Sequence, residues 1–124
     1  MGLFIRAVNK VLVGADRVCV DGTVVNGIGT CQLALVAKSA GIRFYVLCDT
    51  LKFDPRLKGS EVDLEEREPS ELVASGRLPS EVKVRNPYFD ITPLGLITGI
   101  VTENGLLTRE EVINYLGKYS GQSC

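Results

Sequence analysis

At 124 residues and 13.4 kDa, with 14 basic against 15 acidic residues, a net charge of −1 and a hydrophobic fraction of 45%, the chain suits one folded domain with a sizeable core. The near-balanced charge leaves no electrostatic footprint for nucleic acid or for an anionic membrane, so neither is expected as a direct partner. No apolar run approaches the roughly 20 residues that span a bilayer and no secretory leader opens the chain, so a cytoplasmic location is expected; the absence of histidine removes the usual zinc ligand and general base, so no metal and no cofactor are expected.

Leu3 to Asn9 reads as the last turns of a helix leading into a strand, Val11-Leu12-Val13. In α/β sheets the ligand crevice lies beyond the carboxyl ends of parallel strands. A carboxylate just past this strand is aimed at that crevice, which makes Asp16 the first candidate catalytic residue. Val18-Cys19-Val20 and Thr23-Val24-Val25 flank Asp21-Gly22, a two-residue hairpin signal that returns the chain to the strand end. There Asn26 precedes Gly27-Ile28-Gly29-Thr30. Gly27 and Gly29 allow close backbone approach, and Thr30 is placed to cap a helix whose first free N–H groups suit a phosphate. The same residues also read as a plain strand end followed by a turn, since Gly-x-Gly is a short motif. Apolar residues on nearly all sides give a buried helix from Thr30 to Ala40, with Gly41 just past its end. Phe44 to Cys48 is a second strand, parallel to the first by the strand–helix–strand spacing. Beyond it Lys52 falls at the ligand end of the sheet, on the side of Asp16.

Pro55 to Pro79 is polar and charge-rich and reads as a solvated excursion, with a short helix at Ser70 to Ala74 capped by Ser70. Glu81 to Arg85 alternates polar with apolar, as an edge strand does. Thr92-Pro93 is expected to open a helical turn that sends Leu94, Leu96 and Ile97 inward, with Asp90 before it near the crevice. Gly99 to Glu103 is a strand, Asn104-Gly105 a tight turn, and Thr108 with Glu111 a capping box for a last helix ending about Leu116, before Gly117 and a loose tail to Cys124. Cys19, Cys31, Cys48 and Cys124 show no C-x-x-C spacing and read as buried free thiols.

Four motifs then carry a resemblance almost end to end: Val13-Gly14-Ala15-Asp16, Asn26-Gly27-Ile28-Gly29-Thr30, Thr50-Leu51-Lys52-Phe53 and Asn86-Pro87-Tyr88-Phe89-Asp90-Ile91-Thr92-Pro93. With them the chain resembles the C-terminal half of the family that joins the α, β and δ regulatory subunits of translation initiation factor 2B with ribose-1,5-bisphosphate isomerase and 5-methylthioribose-1-phosphate isomerase. The resemblance implies a single α/β domain over residues 1–124: a three-layer Rossmann-like fold, mainly parallel, with helices on both faces and the family's N-terminal helical domain absent. By it Asp16 matches the isomerases' catalytic aspartate, Asn26 the asparagine that holds the sugar phosphate, and Lys52 a ligand-site lysine. Gly27 stands where the isomerases carry lysine, and their catalytic cysteine and an arginine–glycine phosphate loop belong to the N-terminal half. The implied function is that of a δ-like regulatory subunit, a domain for subunit assembly and for sensing a sugar phosphate or nucleotide monophosphate, pairing with like subunits as a homodimer. The alternative is the ligand-binding half of a ribose-1,5-bisphosphate isomerase, inactive without its other half; a scaffold with a vestigial site is the third reading. Whether the chain is an enzyme stays open.

Overall fold

The computed structural model describes residues 1–121. In chain order the elements are β1 (Lys10–Val13), β2 (Arg17–Cys19), β3 (Val24–Gly27), α1 (Thr30–Ser39), β4 (Arg43–Leu47), β5 (Phe53–Asp54), β6 (Phe89–Thr92), β7 (Gly99–Thr102), β8 (Gly105–Thr108) and α2 (Arg109–Ser120). They build two four-stranded sheets, ordered β1-β4-β7-β8 and β5-β2-β3-β6. The first is mainly parallel: β1, β4 and β7 run the same way and β8 returns antiparallel across a turn at Gly105, whose φ of +99° lies in the region that favours glycine. The class is therefore α/β, built on a mainly parallel sheet.

Register decides which side chains form the core. Val11 pairs with Phe44, Val46 with Ile100 and Ile100 with Leu107, so these share one face. That face is buried, and Ala34 and Ala37 of α1 and Val112 and Leu116 of α2 pack into the same core. Each such fully buried aliphatic or aromatic side chain contributes roughly 1.5–3 kcal/mol. α1 lies in the crossover from β1 to β4 and α2 follows the β7–β8 hairpin, and both send buried side chains into the core on this face. Leu12, Leu47 and Leu106 alternate onto the other, where they are 59%, 43% and 54% exposed; among the described residues no helix supplies the layer expected there.

The second sheet grows from the hairpin. Gly22 turns it with φ +77°, and Cys19 N–H donates to the Thr23 carbonyl at 2.8 Å. β3 then pairs antiparallel with β6, while β2 takes the short β5 as a parallel neighbour. Val18 and Val24 join this sheet to the common core.

Several local expectations change. The N-terminal helix is only a 3-10 turn at Ile5–Ala7, too short to hold a longer ladder. α1 buries a stripe, Thr30, Ala34 and Ala37, while Leu35 is 53% exposed, because only one side of the helix meets the sheets. Residues 81–85 form no strand: Val82 is half exposed and the nearest pairing is one isolated bridge, Glu66 with Pro87, so the alternation has no sheet to face. Pro69 rather than Ser70 opens the turn in the excursion, a 3-10 turn at Pro69–Glu71, since its fixed φ suits the first position. Thr92 ends β6, and Pro93 precedes a 3-10 turn at Leu94–Leu96 that leaves Ile97 buried. α2 has the Thr108–Glu111 capping box but runs through Gly117 to Ser120, where Tyr119 packs on Tyr115 at a ring separation of 5.2 Å. Cys124 and the end of the tail lie outside the described residues. No described helix is long and apolar enough to cross a membrane.

Candidate functional site

The site is built where β1 and β4 end. β1 runs out at Val13, and the chain bends through Gly14-Ala15 so that the Asp16 N–H donates to the Val25 carbonyl at 2.8 Å. This ties Asp16 to β3 one residue before Asn26 and leaves its side chain exposed. After β4, Asp49 accepts from Leu51 N–H at 3.1 Å and caps a 3-10 turn, Thr50–Lys52. The Glu103 carboxylate, just past β7, accepts from the Thr50 N–H at 2.9 Å and from the Thr50 hydroxyl. These bonds hold Glu103 below the usual carboxylate range and moor the turn to the carboxyl end of the parallel sheet. Lys52 and Asp16 then line one cleft of about 510 Å³.

Arg17, Asp54 and Arg56 complete its charged lining. Asp54 is buried on β5 and takes both arms of the Arg56 guanidinium, Nε at 2.9 Å and Nη2 at 3.1 Å, with Arg17 Nε at 3.8 Å. Arg56, more than Arg17, holds the Asp54 carboxyl below its ordinary value. On its other side Asp16 borders a cavity of about 200 Å³ closed by Val25, Phe89 and residues 62–65, so the excursion reaches the catalytic candidate. A separate pocket of about 190 Å³ between Phe53, Tyr115 and Tyr119 contains no charged side chain.

The remaining candidates form a second cluster at the start of α1. Asn26 pairs with Asp90 across β3 and β6. The Asp90 Oδ2 accepts from the Gly29 and Cys31 N–H groups, each at 3.0 Å. Gly29, with φ +97°, is the capping residue, and Thr30 is the first helical one. The Thr30 hydroxyl donates to the Gly27 carbonyl at 2.6 Å and accepts from Asn26 Nδ2 at 3.3 Å. Thr30 therefore braces the loop, and the cap expected of it is provided by Asp90. Two of the N–H groups suited to a phosphate already hold a carboxylate.

Of the residues singled out from sequence, Asp16 and Lys52 line one cleft, while Asn26, Gly27 and Thr30 are hydrogen-bonded together and Gly29 is bonded to Asp90. Arg17, Arg56 and the capping role of Asp90 were missed; the adjacency of Arg17 to Asp16 was the one available signal. No three Cys, Asp or Glu side chains gather to hold a metal ion among the described residues. Cys19 is buried and Cys31 and Cys48 partly so.

The Initiation factor 2 subunit family model matches residues 1–109. The ribose 1,5-bisphosphate isomerase of Methanocaldococcus jannaschii is 38% identical over 95% of this chain and 39% of its own length. The methylthioribose-1-phosphate isomerase of Desulfitobacterium hafniense is 43% identical over 88% of this chain and 33% of its own. The crystal structure of translation initiation factor eIF-2B subunit delta from A. fulgidus superposes with a TM-score of 0.81 at 39% identity, over 94% of this chain and 36% of that one. The chain thus spans between about a third and two fifths of these proteins. On the match over residues 1–109, the chain belongs to the Initiation factor 2 subunit family.

Proposed function

We propose that the chain is a cytoplasmic regulatory domain of the δ-like type, which assembles with like subunits and senses a sugar phosphate or a nucleotide monophosphate. Its ligand site comprises Asp16, Asn26, Gly27, Gly29, Thr30 and Lys52. The observation that carries this reading is the cleft itself: a carboxylate from the end of β1 and an ammonium from the turn after β4 line one open cavity at the carboxyl end of a parallel sheet, where ligands of such folds bind. Lys52 offers a point charge to a phosphate and Asp16 accepts from sugar hydroxyls. Calorimetric titration with ribose 5-phosphate and with AMP tests it. Binding that weakens in both Lys52→Ala and Asp16→Asn is expected; unchanged heats in the two variants would remove the cleft from the reading.

The second reading, a ligand-binding half of a ribose 1,5-bisphosphate isomerase, is supported by the 38% identity to the M. jannaschii protein of that name across 95% of this chain. Aldose–ketose isomerisation needs an acid and a base on neighbouring carbons of the sugar. By the resemblance, the isomerases' catalytic cysteine and arginine–glycine phosphate loop belong to the other half, so the 124-residue protein alone is expected not to turn over ribose 1,5-bisphosphate. Turnover that disappears in Asp16→Asn would reverse that expectation and make this second reading the first.

A further inference from the structure

The cleft carries more positive charge than Lys52 alone, and the surplus is arranged around a buried carboxylate. We propose that Arg56, with Arg17 and Lys52, forms the subsite that takes the phosphate group of a phosphate-monoester ligand. The inference rests on the reading of this cleft as a ligand site and assigns the anion to guanidinium groups outside the set read from sequence. Three observations point the same way.

The lining has three cations, Arg17, Lys52 and Arg56, against two carboxylates, Asp16 and Asp54. Asp54 is already engaged: its side chain is 9% exposed and it is shared by Arg56 at 2.9 Å and Arg17 at 3.8 Å. Lys52 has no ion pair among the described residues. The cleft as a whole is therefore positive, with one carboxylate, Asp16, left over for the sugar.

Arg56 is also held in a useful posture. A guanidinium has five N–H donors in a rigid fork. Arg56 directs Nε and Nη2 to Asp54, and its backbone N–H donates to the same carboxylate at 3.0 Å. The remaining terminal nitrogen and the outer edge of the fork are free for an incoming oxyanion, on a side chain 78% exposed. Asp54 thus fixes an arginine that would otherwise be mobile, which lowers the entropy lost when a phosphate binds it.

The competing anion site is taken. At the start of α1 the Gly29 and Cys31 N–H groups both donate to Asp90, an acceptor from the same chain at 3.0 Å. A phosphate there would have to displace a carboxylate and would face its charge. In the cleft a phosphate meets donors that are open.

The test compares wild type with Arg56→Gln and Arg56→Lys by calorimetry against ribose 5-phosphate, inorganic phosphate and unphosphorylated ribose. Arg56→Gln is expected to weaken the two phosphates about five- to tenfold, the usual loss for a charge-assisted hydrogen bond at an open site. Arg56→Lys should recover part of it, and any affinity for ribose should not move. A second measurement needs no variant: phenylglyoxal modification of Arg56 and Arg17, read by peptide mass spectrometry, should slow under saturating ribose 5-phosphate and not under ribose. Wild-type binding of ribose 5-phosphate that is equal in Arg56→Gln, or arginine modification unprotected by bound ligand, overturns this subsite and leaves the proposed ligand cleft standing. No binding of ribose 5-phosphate by wild type overturns both.

Discussion

Asp54 shows how one residue links stability to the site. Its folded pKa lies below the ordinary 3.8, with Arg56 the largest cause. A carboxylate depressed in this way stabilises the fold above its unfolded pKa, and the stabilisation is lost as the pH falls through the folded value. The stability gap between wild type and Asp54→Asn in urea should therefore narrow as the pH is lowered below about 4; a gap independent of pH would deny the Arg56 pairing. Gly59 is constrained by space. Its N–H donates to Asp21 at 3.1 Å, and a Cβ there would stand 2.5 Å from the Thr23 methyl. The Thr23 Cβ and Oγ1 lie at 2.6 and 2.7 Å from the same point, so Gly59→Ala is expected to cost about 1–3 kcal/mol in chemical denaturation. The thiols are held inert by burial: it pushes Cys19 up to about 11, with Asp21 adding to the effect, and Cys48 up to about 11, with Asp49 next. In the native protein both should alkylate far more slowly near pH 8 than an ordinary thiol does, by peptide mass spectrometry; rapid labelling of either would show that its surroundings are open.

At the level of the elements, α1 depends on a residue 61 positions away. Asp90 accepts the Gly29 N–H across that separation and the Cys31 N–H beside it. Asp90→Ala should cost about 1–2 kcal/mol, the usual range for a lost cap, and should raise amide exchange at Gly29 and Cys31 first. Protection that is unchanged at those two amides would refute the cap. The same contact explains what could be read from the chain. α1 itself, the parallel pairing of β1 with β4 and the hairpin at Asp21-Gly22 have local signatures: an apolar run, a glycine turn, a crossover of standard length. The placement of Asp16 and Lys52 at one end of the sheet was legible because each lies a few residues past the end of such a strand. The cap of α1 was not, since local rules offer Thr30 and the true acceptor comes from β6. β5 is two residues long, and only its pairing with β2 makes it a strand; with β5 unseen, Asp54 and the arginines it gathers were unseen too. Residues 81–85 are the converse, an alternating pattern with no neighbouring edge to pair with.

At the scale of the whole molecule the unequal faces of the parallel sheet are the feature to account for. Parallel sheets are ordinarily covered on both sides, yet Leu12, Leu47 and Leu106 stay exposed on one, and the outer edge of β1 has no neighbouring strand among the described residues. Leu3 and Phe4, just before β1, add 82% and 68% exposed side chains. An apolar face of this kind is satisfied by association, and like chains most often close through a two-fold axis. Wild type is therefore expected to form a homodimer, with a light-scattering mass near twice 13.4 kDa. Leu47→Glu and Leu106→Glu together should return it to the single-chain mass, because two carboxylates buried without partners cost more than a contact of roughly 800 Å² per chain can offset. Both substitutions lie on the open face, so the core and the cleft should keep their thermal stability and ligand heats. A wild-type mass that stays at 13.4 kDa across concentrations would rule out the dimer, and a dimer indifferent to the double substitution would move its interface off this face.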